Sequence, residues 1–462
     1  MSKLNKFINR TNELKFLNKK YNSKNAELII LYGRRRIGKT ELVLKFCEKK
    51  DCLYFMGRLE SRESTIKRLN NLLIENFHDS EILNRPLSTF DEIFDYLNKK
   101  SEKKLLFVID EFPFLVEKFP EVISILQEKW DSKLKNSKIK LILLGSSVSM
   151  MEKYALDYKS PLYGRRTGQW KVQKFENKYL SSFFPDYKFE DLIRVYSCID
   201  SIPGYLNILD PKQNFYHNLN EKMFSKGEFL YEEIEILLRE ELRDPSNYMS
   251  IISAIAGGIT NFNNIYQKTS LDKSLLSKYL HILESLNIVR RENPVGETFK
   301  SKLKSKKSLY FLSDNFFDFW FRFVYSNKQE IERGTFKIDK EDLERYISFK
   351  FEKYCMEFVQ NSKKFDYSEV GRWWDNSNEI DIVGLSKTEK QVLFGECKWK
   401  NNVDAQKLLK DLFNKKENFK INNESRKEIF VIFAKSFKKK IKEFKGQEVI
   451  CFDLKDLQKN LK

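Results

Sequence analysis

The chain has 462 residues, enough for about three domains. With 41% hydrophobic and 14% aromatic residues but only 16 Gly and 9 Pro, it is neither collagen-like nor disordered. The formal charge of +18 fits a polyanionic partner such as nucleic acid, and fits equally a generally lysine-rich composition.

Six scattered cysteines with no C-x-x-C pair, and three histidines, give no basis for a Cys/His zinc site. No apolar run approaches membrane-spanning length and the first residues lack the apolar core of a signal peptide. The expected setting is therefore cytoplasmic and reducing, without a membrane partner.

Apolar runs of strand character at 28–32, 53–56, 105–109 and 139–144 alternate with segments of helical spacing. That alternation predicts an α/β domain with a parallel sheet over 1–154. Gly33-Arg34-Arg35-Arg36-Ile37-Gly38-Lys39-Thr40 matches G-x-x-x-x-G-K-[ST] and lies between the first strand and a helix opening at Glu41. Glycines let backbone N–H groups wrap phosphate oxygens at a helix N-terminus. Lys39 supplies charge to the β- and γ-phosphates, and the Thr40 hydroxyl is suited to Mg²⁺. The stretch from Gly33 to Glu41 is thus the expected cofactor-binding segment, while Arg34, Arg35 and Arg36 also fit contacts with the rest of the protein.

The strand at 105–109 runs into Asp110-Glu111. Asp110 is placed to hold Mg²⁺ through its water shell and Glu111 to activate the attacking water. Alone the two acids would read as a strand-end surface pair; downstream of a phosphate loop the catalytic reading is favoured. The strand at 139–144 ends in Gly145-Ser146-Ser147, where either serine could contact the γ-phosphate or orient the water, as the sensor residue does in AAA-type ATPases.

From 155 to 243 the pattern turns predominantly helical, punctuated by Pro161, Pro185, Pro203 and Pro211, and predicts a helical appendage to the first domain. Within it Tyr163-Gly164-Arg165-Arg166-Thr167 offers Arg165 as an arginine finger or, equally, as part of an exposed basic turn. A finger acting in trans would require a homo-oligomer.

Phe7-Ile8-Asn9-Arg10 with Glu13-Leu14, then YGRRRIGKTEL, IDEFPFL, LLGSSVSMME, SPLYGRRTG and IPGYL, resembles the AAA-like ATPase family widespread in archaea and some bacteria. The resemblance spans nearly the whole chain. It implies ATP as the ligand, because the segment around Phe7 to Leu14 lies near the adenine in such proteins. It also implies a winged helix followed by a C-terminal domain of uncertain function.

Residues 244–339 read as two short helical stretches, a longer one over 272–286, and strands near 288–291 and 308–312, the order of a winged helix-turn-helix. On the longer helix Leu276, Leu280 and Leu283 form an apolar stripe, with Ser274, Ser277, Lys278 and His281 mostly off it. Lys300, Lys302, Lys304, Lys306 and Lys307 suit a phosphate-contacting wing. DNA is the favoured partner; many winged helices bind proteins instead. The aromatic block at 315–325 is expected as a buried helical connector.

Residues 340–462 predict the order helix, three strands, helix, strand, helix, strand. A hairpin turning around Thr388 would set Asp381 opposite Glu396, with Lys398 on the same face. Glu352 on the preceding helix offers a third carboxylate. Such a cluster suits Mg²⁺ at Asp381 and Glu396 with Lys398 orienting water. It resembles the D…(D/E)-x-K arrangement of restriction-endonuclease-like nucleases, although Ile380 stands where that motif has proline and many such domains are degenerate; a solvated charged hairpin is the plain alternative.

The expected fold is α/β throughout: a P-loop NTPase sheet with a helical appendage, a winged helix, and a restriction-endonuclease-like domain over 340–462. The expected function is a Mg²⁺-dependent ATP hydrolase coupled to DNA binding and to a nuclease-like domain. The alternative is a nucleotide-dependent switch whose nuclease-like domain is inactive.

Overall fold

The computed structural model describes residues 7–242, 244–297, 307–362, 364–387, 390–421 and 426–460. The chain divides into two compact units: residues through Phe175 with Ile202–Gly204, and Glu176–Ser201 with Tyr205 onward.

The first unit is built on five strands, β1 (Glu27–Tyr32), β2 (Cys52–Met56), β3 (Leu105–Asp110), β4 (Ile139–Gly145) and β5 (Gly168–Lys171), in the order β2-β3-β4-β1-β5. Every neighbouring pair is parallel. β3 and β4 are buried along their whole length, as expected where helices cover both faces of a sheet and side chains pointing either way must be apolar. Phe107, Ile109, Leu141 and Leu143 join helix residues such as Phe94, Leu97 and Leu126 in one core. The helices α1 (Thr11–Tyr21) and α2 (Lys39–Cys47) flank β1 in sequence.

Two expectations for this unit change. Gly168–Lys171, read with the helical stretch, is a strand whose register pairs Ile29 with Gly168 and Tyr32 with Lys171. Four residues of mixed polarity on a sheet edge carry too little pattern to be recognised. Cys47 and Cys52, expected as free thiols, are joined in a disulfide with Cα atoms 5.8 Å apart, because the short turn from α2 into β2 brings them face to face.

In the second unit, helices Ser246–Ala256, Phe262–Thr269 and Lys273–Ser285 precede an antiparallel pair, β6 (Val289–Glu292) and β7 (Leu309–Leu312). Asn261 bridges to Leu309 in antiparallel fashion. Leu276, Leu280 and Leu283 are the buried residues of Lys273–Ser285, and Ser274, Ser277, Lys278 and His281 are exposed. Of the expected wing lysines only Lys307 falls within the described residues. The aromatic block folds as helical turns, Asn315–Phe319 and Trp320–Val324. Its Trp320 is fully buried, with the indole N–H donating to the Tyr231 carbonyl at 2.8 Å.

The long helix Lys340–Asn361 leads into a six-stranded mixed sheet. Its strands are β8 (Glu369–Trp374), β9 (Glu379–Leu385) and β10 (Gln391–Lys398), then, past the two-residue β11 (Val403–Asp404) and helix Ala405–Lys416, β12 (Lys427–Ala434). After β13 (Phe437–Lys439), β14 (Glu443–Phe444) and β15 (Gln447–Phe452) complete it, in the order β14-β15-β12-β10-β9-β8. β9 is antiparallel to β8 and β10, whereas β10, β12 and β15 run parallel. Phe413 stacks on Phe430 at 4.2 Å in the core beneath helix Ala405–Lys416. The helix expected between the last two long strands is absent among the described residues: β13 and β14 occupy that stretch. Phe437, Ile441 and Phe444 pack against the core, and Lys445 and Gly446, both at positive φ, close a tight hairpin into β15.

Candidate functional site

The carboxyl ends of β1, β3 and β4 bring the first cluster together, the edge at which open parallel sheets bind ligands. The phosphate loop leaves β1 at Gly33, and Gly38, with φ 86°, caps α2. Lys39 is buried, its ammonium donating to the carbonyls of Gly33 at 2.8 Å and Arg34 at 3.0 Å. Thr40 Oγ1 donates to Asp110 Oδ2 at 2.8 Å. The Tyr54 hydroxyl, from β2, donates to the same oxygen at 2.6 Å, and the Glu111 N–H donates to Asp110 Oδ1 at 2.8 Å. Burial and the Asp110 carboxylate push the Tyr54 hydroxyl well above its ordinary pKa.

Glu111 takes a left-handed conformation, φ 49°, at the start of helix Phe112–Lys118. Its Oε2 accepts from Ser146 Oγ at 2.9 Å and from the Ser146 N–H at 3.3 Å. Ser146 therefore faces the catalytic acid of the sequence reading, whereas Ser147 caps the next helical turn through Met150 N–H. Ile37 is buried and Glu41 exposed on α2.

Arg36 sits at φ 64°, and its carbonyl accepts from the Gly204 N–H at 2.9 Å. A Cβ on Gly204 would lie 2.5 Å from that of Arg36, so the IPGYL segment needs glycine where it meets the loop. Arg10 holds the loop from the other side, donating to the Ile37 carbonyl at 2.6 Å and the Gln173 carbonyl at 2.8 Å. Arg165 grips Asp131 with Nε and Nη2, the latter at 2.6 Å, and donates to the Pro161 carbonyl.

A second cluster lies in the other unit. The β9–β10 register pairs Ile382 with Gly395, so one step along Asp381 stands opposite Glu396; the turn itself, at Thr388, lies outside the described residues. Asp381 Oδ2 accepts from the Cys397 N–H at 2.9 Å. Glu396 is buried and accepts from Lys398 at 3.0 Å and from Lys415, on helix Ala405–Lys416, at 2.9 and 3.0 Å. Arg372 pairs with Glu352 at 3.4 Å and also with Glu379.

Burial, then the charge of Asp381, raises the Glu352 carboxyl to about 8. Burial, then the charge of Glu396, raises Asp381 to about 6. Glu352 thus faces Asp381 electrostatically, but among the described residues no three His, Cys, Asp or Glu side chains gather closely enough to hold a metal ion.

Residues 7–209 match a family of ATPase domains predominantly from Archaea, and residues 320–409 match archaeal and bacterial proteins of unknown function. Over 97% of its length the chain is 35% identical to an uncharacterized protein of Methanocaldococcus jannaschii, of which it covers 99%. The chain belongs to this archaeal ATPase family. An uncharacterized ATP-binding protein of the same organism is 61% identical over 44 residues, 10% of this chain and 75% of that one. In fold the ATPase resembles a Walker-type ATPase of Pyrococcus abyssi, at TM-score 0.53 and 24% identity over 68% of this chain and 96% of that one. Among its described residues no helix is long and apolar enough to cross a membrane.

Three residues of the archaeal ATPase escaped sequence reading. Tyr54 stands in a strand whose aromatic content suits any sheet position. Arg372 lies in a strand of mixed polarity, and Lys415 occupies the last turn of a helix, where a lysine is ordinary. What could have flagged Tyr54 is its place at the end of the strand beside the acidic one, which depends on strand order and so on tertiary structure.

Proposed function

We propose that this ATPase hydrolyses ATP at the first cluster and uses the nucleotide cycle to control nucleic-acid binding by its second unit. One observation carries the hydrolytic reading: Thr40 and Asp110 share a hydrogen bond across the carboxyl edge while Glu111 lies alongside. Hydroxyl and carboxylate oxygens are the hard donors that Mg²⁺ takes, so Thr40 and Asp110 would hold it. Bound there it would offset charge on the β- and γ-phosphate oxygens. Lys39 would exchange its two carbonyl partners for phosphate, and Glu111, released by Ser146, would accept a proton from the attacking water.

For the second unit, the three helices followed by an antiparallel ribbon support a winged-helix reading, and the exposed Ser274, Ser277, Lys278 and His281 support a nucleic-acid-facing helix. DNA is the favoured ligand. The helix-strand order from Lys340 and the opposed Asp381 and Glu396 support a restriction-endonuclease-like domain. Its donor set does not fit a divalent ion as built, because two ammonium groups occupy Glu396. That observation favours a domain that grips nucleic acid without cutting it.

Steady-state ATPase assays and binding of labelled DNA and RNA across a salt series test both parts. Glu111→Gln should bind ATP normally and turn it over on the order of 100- to 10,000-fold more slowly. Unchanged turnover would refute the role of Glu111. Salt-insensitive or absent nucleic-acid binding would refute the coupling, and strand cleavage lost in Lys398→Ala would replace the gripping domain with an active nuclease.

A further inference from the structure

A transferring γ-phosphoryl group needs positive charge beyond that of the phosphate loop, and an arginine from another segment commonly supplies it. The sequence offers Arg165 for this task, but the structure commits its guanidinium to Asp131 and Pro161. The other arginines of the first unit near the loop are engaged as well. Arg10 is bound to Glu13 and two carbonyls, Arg166 to the carbonyls of Ala155 and Leu156, and the three loop arginines have partners of their own. Just beyond β2, Arg62 pairs with Glu121 and Arg68 with Glu60.

Arg58 differs from all of these. It is exposed, and among the described residues its side chain makes no hydrogen bond, ion pair or ring contact. Its backbone position is nevertheless fixed against the catalytic acids. The preceding residue, Gly57, donates its N–H to the Asp110 carbonyl at 2.7 Å. A Cβ at Gly57 would lie 2.5 Å from the Glu111 carbonyl oxygen, so only glycine lets the chain come this close. β2 is the strand next to β3, and adjacent strands lie about 4.8 Å apart, a gap that an arginine side chain spans.

The acids around it are already taken: Asp110 by Thr40 and Tyr54, Glu111 by Ser146, and Glu60 by Arg68. An exposed guanidinium with no protein partner among the described residues, on a backbone fixed beside Asp110 and Glu111, is free to meet an anionic ligand at that edge. We propose that Arg58 is a catalytic residue that contacts the γ-phosphate and neutralises charge developing on it during hydrolysis, acting within its own chain. This deepens the proposed ATPase activity and rests on it. No second copy is needed to complete the site.

The test compares wild type, Arg58→Ala and Arg58→Lys in full-length protein, measuring kcat and KM for ATP, ATP affinity at equilibrium, and capture of ADP with aluminium fluoride. Arg58→Ala should lower kcat on the order of 1,000-fold, leave ATP affinity nearly unchanged, and fail to capture the ADP–aluminium fluoride complex. Arg58→Lys should recover part of the rate, which a purely structural role would not predict. Wild-type kcat in Arg58→Ala, or a loss confined to KM, would overturn the assignment, as would a kcat loss found in Arg165→Ala alone. If wild type itself turned over no ATP, the hydrolytic function would fall and this inference with it; normal wild-type turnover with an unaffected Arg58→Ala would remove only the inference. Equal ATP affinity in the variants certifies that they are folded.

Discussion

Each unit of this ATPase sets carboxylates side by side, and the two clusters are stabilised by opposite means. Asp110 and Glu111 are held by hydroxyls, those of Thr40, Tyr54 and Ser146. Asp381, Glu396 and Glu352 sit among the cations Lys398, Lys415 and Arg372. A hydroxyl orients a carboxylate without cancelling its charge, which leaves it available to a cation that arrives with substrate. An ammonium or guanidinium cancels the charge in place, and a metal ion would have to displace it. Similar residue types are therefore held by hydroxyls in one unit and, at Glu396 and Glu352, by cations in the other.

The contrast breaks most readily at Asp110. Asp110→Asn should keep the hydroxyl contacts and lower ATP turnover on the order of 100- to 1,000-fold, the loss expected when a metal-associated carboxylate is removed. Steady-state ATPase rates check this, and a variant within threefold of wild type would show that its charge is not used. In the other unit the first casualty should be stability. Arg372→Met removes the guanidinium that pairs with Glu352 and Glu379 and should destabilise that unit most above pH 8, where the Glu352 carboxyl is ionised, by about 2–3 kcal/mol given the pair's partial exposure. Urea titration followed by Trp fluorescence measures it, and adding Glu352→Gln should recover much of the loss.

The pH dependence sharpens the same point. Glu352 and Asp381 bind their protons more tightly folded than unfolded, since their carboxyls are raised to about 8 and about 6. Their contribution to stability is complete below the ordinary carboxylate range and is lost as pH rises through those values. Chemical denaturation between pH 5 and pH 9 should show the second unit weakening as pH rises, and Glu352→Gln should flatten the slope. The smallest effect belongs to Tyr54→Phe. Removing one of two hydroxyls on Asp110 should cost about 0.5–1.5 kcal/mol, visible as a small drop in melting temperature and a modest rise in the Mg²⁺ concentration needed for half-maximal turnover.

Much of this was legible in the amino-acid order. The phosphate loop carries its own spacing, and β3 and β4 are long apolar runs, so the first sheet could be read apart from β5, which is short and on an edge. The opposition of Asp381 and Glu396 followed from counting across one hairpin, because register in adjacent antiparallel strands is a local property. The partners that decide the chemistry were not legible. Tyr54 reaches Asp110 from a neighbouring parallel strand 56 residues away in sequence, Lys415 reaches Glu396 from a helix, and Asp131 claims Arg165 across 34 residues. Side-chain pairing over such separations depends on strand order and helix placement, on which a linear pattern is silent. The stretch at 435–446 misled for a related reason: its lysine-rich spacing suits a helix, but Phe437, Ile441 and Phe444 gain more from the sheet core than a short helix would return.

The bond from the Gly204 N–H to the Arg36 carbonyl turns one amide into a reporter. Ile202–Gly204 belongs to the first unit while the chain on either side belongs to the other, so this bond ties a short excursion of the chain to the phosphate loop. Deuterium uptake at Gly204, followed with ADP and with a slowly hydrolysed ATP analogue, would report whether that bond to the loop weakens or tightens with the nucleotide bound.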